Sequence, residues 1–69
     1  ELDPEFAVAW TNRGFTSLNS GQASAAEADF NAAIKLNPEQ PLPYSLRGTC
    51  RLAQGQAEAA LQDYLQVVK

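Results

Sequence analysis

An internal repeat constrains the fold of this chain more than any other feature of its sequence. When the 69-residue chain is shifted by 34 positions against itself, 13 of the 35 compared pairs are identical. They include Arg13/Arg47, Gly14/Gly48, Gly21/Gly55, Ala26/Ala60 and Asp29/Asp63. Self-similarity of this period is typical of repeat proteins, in which each unit is one supersecondary structure that stacks on its neighbours.

The composition and the turn residues predict two helices in each repeat. Alanine, the strongest helix former, is abundant, and no segment alternates apolar and polar residues over the length of a strand. Gly21 and Gly55 can adopt the left-handed conformation that ends a helix and starts a tight turn. The fold class is therefore all-α, with helices at about 6–19, 23–36, 42–53 and 57–69.

Several residues are candidates for the ends of these helices. Asp3-Pro4 and Asn37-Pro38 combine a side-chain acceptor with a proline that is tolerated in a first turn. Pro41 and Pro43 also fall in a first turn, where no hydrogen bond is lost. Ser24, followed three residues later by Glu27, would form a capping box at the start of the second helix, although the periodicity also allows this helix to begin a residue or two earlier.

The residues that recur in the two units resemble the tetratricopeptide repeat. The first unit has Trp10, Gly14, Ala26, Phe30 and Pro38 at the spacing of that pattern, and the second has Tyr44, Gly48, Ala60 and Tyr64. Arg13 and Arg47 depart from the pattern where it has Leu, as do Ser17 and Arg51 where it has Tyr. The resemblance implies a right-handed α-solenoid of antiparallel helix hairpins. Its parts would be the tail of a preceding repeat at 1–6, one repeat at 7–40 and an incomplete second repeat at 41–69.

The matching residues have a packing role in this interpretation. Glycine at 14 and 48 would let the two helices of a hairpin approach closely, and alanine at 26 and 60 sits where bulk would separate them. Trp10 and Tyr44 would fill the wider end of each hairpin. The set of predicted structural residues is Trp10, Gly14, Ala26, Phe30, Ala33, Pro38, Tyr44, Gly48, Ala60 and Tyr64.

The recurring arginines suggest a line of ion pairs. In each hairpin an arginine and an aspartate lie at equal distances from the turn, and Asp29 is also about equidistant with Arg47 from Pro38. We therefore predict an interhelical ladder of Arg13, Asp29, Arg47 and Asp63. The alternative is that the arginines bind a carboxylate ligand. Because both charges recur with the repeat, the structural interpretation is favoured.

The resemblance also implies a function, namely binding of a protein or peptide along the concave face lined by the first helix of each unit. The lining residues would be Val8, Thr11, Asn12, Phe15, Leu18, Asn19, Leu42, Ser45, Leu46, Thr49, Leu52 and Ala53. The subset of the family that clamps chaperone-tail carboxylates uses Lys and Arg in this groove, and this chain has none there. The groove is expected to suit an apolar peptide or an amphipathic helix. Alternatively, Leu18, Leu42 and Leu52 serve partly in packing between helices.

Other functions are not favoured by the sequence. The net charge is −3 and the five basic residues are spread along the chain, so we expect no nucleic-acid partner. No apolar run approaches the roughly 20 residues of a membrane span. The chain has no histidine and no evident nucleophile–base, metal-ligand or phosphate-loop pattern, so we expect neither an enzyme nor a cofactor. Cys50 is interpreted as a small core residue.

The phase of the repeat gives one further expectation. The chain ends within its second unit, so the last helix should expose an apolar stripe that includes Leu61, Leu65 and Val68. About three repeats are normally needed for a stable array. We therefore expect marginal stability, or self-association into homo-oligomers by stacking or swapping, as the alternative function.

Overall fold

The computed structural model describes residues 4–68, with the side chains described from Phe6 onward. This part of the chain is all-helical, as predicted, and its helices are α1 at Pro4–Asn19, α2 at Ala23–Leu36, α3 at Pro41–Ala53 and α4 at Ala57–Val67. The helix α1 begins two residues earlier than expected. Lys69, the predicted end of the last helix, lies outside the described residues.

Both hairpin turns have the glycine conformation that the sequence predicts. The φ angles of Gly21 and Gly55 are 79°, in the left-handed region. In the first turn the amide of Gln22 donates to the carbonyl of Ser17 at 2.9 Å, and the amide of Gly21 donates to that of Leu18 at 3.0 Å. The second turn makes both hydrogen bonds at the equivalent positions of its own hairpin. This is the Schellman arrangement, which satisfies the last carbonyls of a helix and reverses the chain.

The predicted capping box is wrong. The residue before α2 is Gln22, which makes no side-chain capping hydrogen bond, and Ser24 lies inside the helix. The Glu27 carboxylate bonds to Arg51 and Gln54 on the next hairpin instead. The contact between repeats therefore decides the position of this side chain, rather than the local capping signal.

The helices pack in the order that a repeat fold requires. The helix α1 packs on α2, and α3 packs on α4. The second helix also contacts α3, and α1 contacts α3, so the two hairpins stack side by side. Among the described helices α4 contacts only α3.

The core lies between α2 and the first helices of both hairpins. Phe30, Ala26 and Cys50 form a fully buried cluster, against which Leu18, Ala23 and Leu46 pack. A methyl group on Gly14 would lie 2.6 Å from Cε1 of Phe30, and one on Gly48 would lie 3.0 Å from Cε1 of Tyr64. Glycine is therefore required at 14 for the close approach of α1 to α2.

The remaining predicted structural residues lie around this core. Ala33 and Ala60 are buried, whereas Trp10 and Tyr44 are half-buried. The guanidinium of Arg13 lies 5.0 Å from the centre of the Trp10 ring, and that of Arg47 lies 5.6 Å from that of Tyr44. The Tyr44 hydroxyl donates to the carbonyl of Pro38 at 3.0 Å, which ties α3 to the loop before it.

Candidate interaction surface

Exposed apolar side chains lie on the first helix of each hairpin. Val8 and Phe15 on α1 are about half exposed, and Phe15 has an exposed fraction of 49%. They are seven residues apart, close to two helical turns, so they lie on one face of α1. Leu42 and Leu52 on α3 are exposed to a similar degree. Because α1 and α3 contact each other, the outer sides of these two helices are the candidate interaction surface.

Three of the predicted lining residues are partly or wholly taken up by packing. Thr11 is only 4% exposed, and its hydroxyl donates to the carbonyl of Ala7 at 2.8 Å. It is therefore unavailable to a ligand, and its place in the predicted lining is wrong. Leu18 and Leu46 pack against the buried core cluster and are only partly accessible.

The polar side chains of the predicted lining differ in their exposure and in their hydrogen bonds. Asn12 and Asn19 are exposed, and Ser45 is half-buried; the apolar Ala53 is also exposed. Thr49 is exposed and its hydroxyl shares a 3.0 Å hydrogen bond with that of Tyr64 on α4. The asparagine side chains on α1 are thus the accessible amide groups of this surface.

A network of charged side chains joins the two hairpins. The Asp63 carboxylate accepts hydrogen bonds from Arg47 Nε at 3.0 Å, Arg47 Nη2 at 2.7 Å and Arg51 Nη1 at 3.0 Å. Arg51 Nε donates to Glu27 at 3.1 Å, and Gln54 donates to the other oxygen of Glu27 at 2.7 Å. Asp63 is 2% exposed, so its charge is neutralised by two arginines inside the fold.

The equivalent ion pair in the first hairpin has fewer hydrogen bonds, and its arginine is more exposed to water. Arg13 Nε donates to Asp29 Oδ2 at 3.2 Å, and the Arg13 side chain is 70% exposed. By contrast the Arg47 side chain is 17% exposed. Serine at 17 occupies the position of Arg51, so a second arginine is missing here.

The predicted ladder of ion pairs differs from the structure between the two hairpins, where Arg47 was expected to meet Asp29. Among the described residues Asp29 bonds to Arg13, and Arg47 reaches α2 through Asn31, to whose oxygen Nη1 donates at 2.8 Å. The connection between hairpins therefore passes through Asn31 and Glu27 rather than through Asp29. Sequence reasoning missed both residues because they are not repeated: the equivalent positions of the second unit are Leu65 and Leu61.

The ionisation of Glu27 reflects this network. The hydrogen bond from Gln54 is the largest effect and lowers the pKa of Glu27. Burial raises that pKa, but the hydrogen bond and the positive charge of Arg51 lower it, so the net shift is downward. A carboxyl with a lowered folded-state pKa stabilises the fold above its unfolded pKa and loses that contribution as the pH falls. The pKa of Arg47 is raised, first by its hydrogen bond to Asp63.

We therefore expect the Glu27→Gln variant to be less stable than the wild type by about 0.5–1 kcal/mol near pH 7, as for other partly exposed ion pairs. The difference should shrink as the pH falls below about 4.3, the ordinary carboxyl value, because the wild type then loses its charge. Urea titrations between pH 7 and pH 3 measure it. A difference that stays constant over this range would contradict the assignment.

Cys50 is buried in the core cluster, as expected for a structural residue. Burial, followed by the negative charge of Glu27, raises the pKa of its thiol. Because Cys50 is 0% exposed, alkylation requires the fold to open, and the raised pKa also lowers the fraction of the reactive thiolate.

Maleimide labelling of Cys50 at neutral pH should therefore be at least about tenfold slower in buffer than in denaturing urea. The rate in buffer should rise with temperature through the unfolding transition. The comparison is made by mass spectrometry of timed samples. Equal rates in buffer and in urea would show that the thiol is accessible in the folded chain.

The described residues hold neither an enclosed pocket nor a group of His, Cys, Asp and Glu that could bind a metal. None of the helices in this part of the chain has the length and apolar character to cross a membrane. The candidate surface is therefore an open helical face.

Stacked helix hairpins that repeat in phase, with close glycine contacts and glycine-closed turns, define a helical repeat protein of the solenoid class. Residues 7–40 match the family model of the tetratricopeptide repeat. This part of the chain is therefore a tetratricopeptide repeat. No curated protein and no solved structure matches the chain.

The match confirms the predicted resemblance over residues 7–40. Tetratricopeptide repeats generally mediate protein–protein interaction, and the family is one of non-catalytic scaffolds. The partner class is therefore protein. The match covers the first hairpin, which contains Phe15 and the Arg13–Asp29 pair.

Proposed function

We propose that the face formed by α1 and α3 binds an apolar peptide or the apolar side of an amphipathic helix. The observation that carries this proposal is the exposure of Val8 and Phe15 on α1 and of Leu42 on α3. The two helices contact each other, so their exposed faces can be spanned by one extended or helical segment.

The polar groups of this face favour a ligand with little charge. The predicted lining contains no Lys, Arg, Asp or Glu. Asn12 and Asn19 are exposed and can each donate and accept a hydrogen bond, which fixes the register of a bound backbone. A carboxylate would find no cation among these residues, so clamping of a C-terminal carboxylate is not part of the proposal.

We also propose that residues 41–69 are a second tetratricopeptide-like repeat. The predicted tail at 1–6 lies partly outside the described residues, and its last three residues belong to α1. The helices α3 and α4 follow the first pair in the phase of the sequence repeat and make the same turn hydrogen bonds. Two units in phase would double the length of the binding face, because each contributes its first helix.

A selection from random 12-residue peptides displayed on phage tests the groove. Peptides retained by the wild-type chain should be rich in Leu, Phe or Ile, and the Phe15→Ser/Leu42→Ser variant should retain them at least about tenfold less well. The matched control is Leu61→Ser/Leu65→Ser, which removes exposed leucines from α4 and should bind as the wild type does. Equal binding by the two double variants and the wild type would reject the groove.

Self-assembly is the second candidate function. It is supported by the exposed side chains of Leu61 and Leu65 on α4 and of Val68 directly after it. Sedimentation of the wild-type chain over a hundredfold concentration range would reveal it as a rise in mean mass. A monomer at all concentrations would leave the groove as the remaining interaction surface.

A further inference from the structure

A pair of hydroxyl groups lies on the α3 side of the proposed binding face. The side-chain oxygen of Thr49 on α3 is 3.0 Å from the hydroxyl of Tyr64 on α4, and this hydrogen bond is exposed. Neither hydroxyl has a counterpart in the first hairpin, where Phe15 and Phe30 take the equivalent positions. The binding face is therefore apolar at this position of α1 and polar at the same position of α3.

The protons of both hydroxyls are used inside the fold. The Thr49 hydroxyl donates to the carbonyl of Ser45 at 3.2 Å, since a carbonyl oxygen can only accept. Three other hydroxyls bond to the carbonyl four residues earlier in the same way, those of Thr11, Thr16 and Ser20. Because the Thr49 proton is used on Ser45, Thr49 is the acceptor in its bond with Tyr64, and the Tyr64 hydroxyl is the donor.

The Thr49 oxygen can accept one more hydrogen bond. A hydroxyl oxygen has two lone pairs, and the bond from Tyr64 uses one of them. Thr49 is exposed, so a bound molecule can reach the other. An N–H group of a ligand would satisfy it. A carboxylate would give up water and place a second acceptor against this oxygen, which is unfavourable.

The exposure of Thr49 follows from its position in the repeat. Phe15 has the equivalent position on α1 and is 49% exposed, although α3 contacts α1. A hairpin stacked beside α3 would therefore leave Thr49 accessible as well. The ligand does not have to reach the Tyr64 hydroxyl, because that group acts by directing its proton to Thr49.

We infer that the peptide bound to α1 and α3 carries a neutral amide, the side chain of Gln or Asn, which donates to the Thr49 oxygen. This inference rests on the proposed function and adds the chemistry of one ligand residue to it. A neutral donor is required because the predicted lining contains no Asp or Glu to balance an ammonium group. An apolar residue of the same peptide packs on Phe15, so the two contacts fix the direction in which the peptide lies.

A substitution scan of one peptide tests the amide donor. The probe is the peptide that the wild-type chain retains most strongly in the phage selection, with a fluorescent label. Gln and Glu are placed in turn at each of its non-apolar positions, since the two side chains have the same shape but only Gln donates a proton at neutral pH. Fluorescence anisotropy should show one position at which the preference for Gln exceeds that at the other positions by about threefold to tenfold, the effect of one hydrogen bond.

Two chain variants with the wild-type net charge locate the acceptor. T49V removes the Thr49 oxygen and frees the Tyr64 proton, so it should reduce the preference for Gln at that position at least about threefold. Y64F leaves Thr49 donating to Ser45, so it is the matched control and should keep the wild-type preference. Phenylalanine already occupies the equivalent position of the first hairpin, as Phe30. Circular dichroism of each variant verifies that the helices are intact.

The outcomes separate this inference from the proposed function. If peptides bind to α1 and α3 with the same preference at every position, or with a preference that T49V leaves unchanged, the amide donor is overturned and the binding face stands. Tighter binding of Glu at the position that T49V affects would mean that a hydroxyl proton points outward, which also overturns the amide donor. A chain that retains no apolar peptide would overturn both.

Discussion

Replacing Asp63 by Asn should destabilise the chain by roughly 3–5 kcal/mol, the cost of breaking a buried ion pair from one side. Asp63 is 2% exposed and accepts three hydrogen bonds from Arg47 and Arg51. Asparagine has one acceptor oxygen and no charge, so the mostly buried guanidinium of Arg47 would lose its counterion and that of Arg51 would keep only Glu27. Urea unfolding followed by circular dichroism, with trimethylamine oxide to hold the variant folded, measures the loss.

The matched control is the equivalent residue of the first hairpin. Asp29→Asn removes the partner of Arg13, whose side chain is 70% exposed and can be hydrated instead. Asp29 is itself only 4% exposed, but Arg13 keeps its water, so the expected cost is about 1 kcal/mol, that of one lost hydrogen bond. Equal losses from the two variants would show that the burial of the second pair does not matter to stability.

The Phe30→Ala variant should lose roughly 3–5 kcal/mol, the usual cost of truncating a fully buried aromatic side chain. Phe30 is completely buried and lies against Gly14 on α1, in the cluster with Ala26 and Cys50. A domain of this size has only a few kcal/mol of stability in total. The variant should therefore lack a cooperative thermal transition that the wild type shows in the same buffer.

Phe15→Ala is the control for this second substitution. Phe15 is 49% exposed, so its truncation should change the free energy of unfolding by less than about 0.5 kcal/mol. The same variant should weaken peptide binding, which separates a surface role from a core role. A cooperative transition retained by Phe30→Ala at an unchanged temperature would contradict the core described here.

The hairpins could be predicted from the sequence because their determinants are local and repeated. Gly21 and Gly55 fix the turns, and once the turns are fixed the pairing of Arg13 with Asp29 and of Arg47 with Asp63 follows from their distances to the turn. The period of the repeat then places the second hairpin beside the first. Local signals and tertiary packing agree at these positions.

The junction between the hairpins could not be predicted in the same way. Glu27 has two possible roles, as a capping residue for Ser24 and as a partner for Arg51, and the local pattern alone favours the first. In the structure Glu27 takes the second role, because Arg51 and Gln54 of the next hairpin donate hydrogen bonds to its carboxylate. Thr11 likewise occupies a position in the repeat that predicts a place in the groove. Its hydroxyl donates a hydrogen bond within α1 instead, and its side chain is buried.

The residues that join the two hairpins differ between the two repeats, so a comparison of identical positions does not find them. Glu27 and Asn31, which accept hydrogen bonds from the second hairpin, are replaced by Leu61 and Leu65 at the equivalent positions of α4. Ser17 is replaced by Arg51, which bonds to both Glu27 and Asp63.

The central claim, that α1 and α3 form a peptide-binding face, is tested most directly by nuclear magnetic resonance. The ¹⁵N-labelled chain is titrated with the peptide that binds most tightly in the phage selection, and amide shifts are mapped onto the four helices. We predict that the largest shifts lie on α1 and α3 around Val8, Phe15 and Leu42. Shifts confined to α4 around Leu61 and Leu65 would contradict the claim.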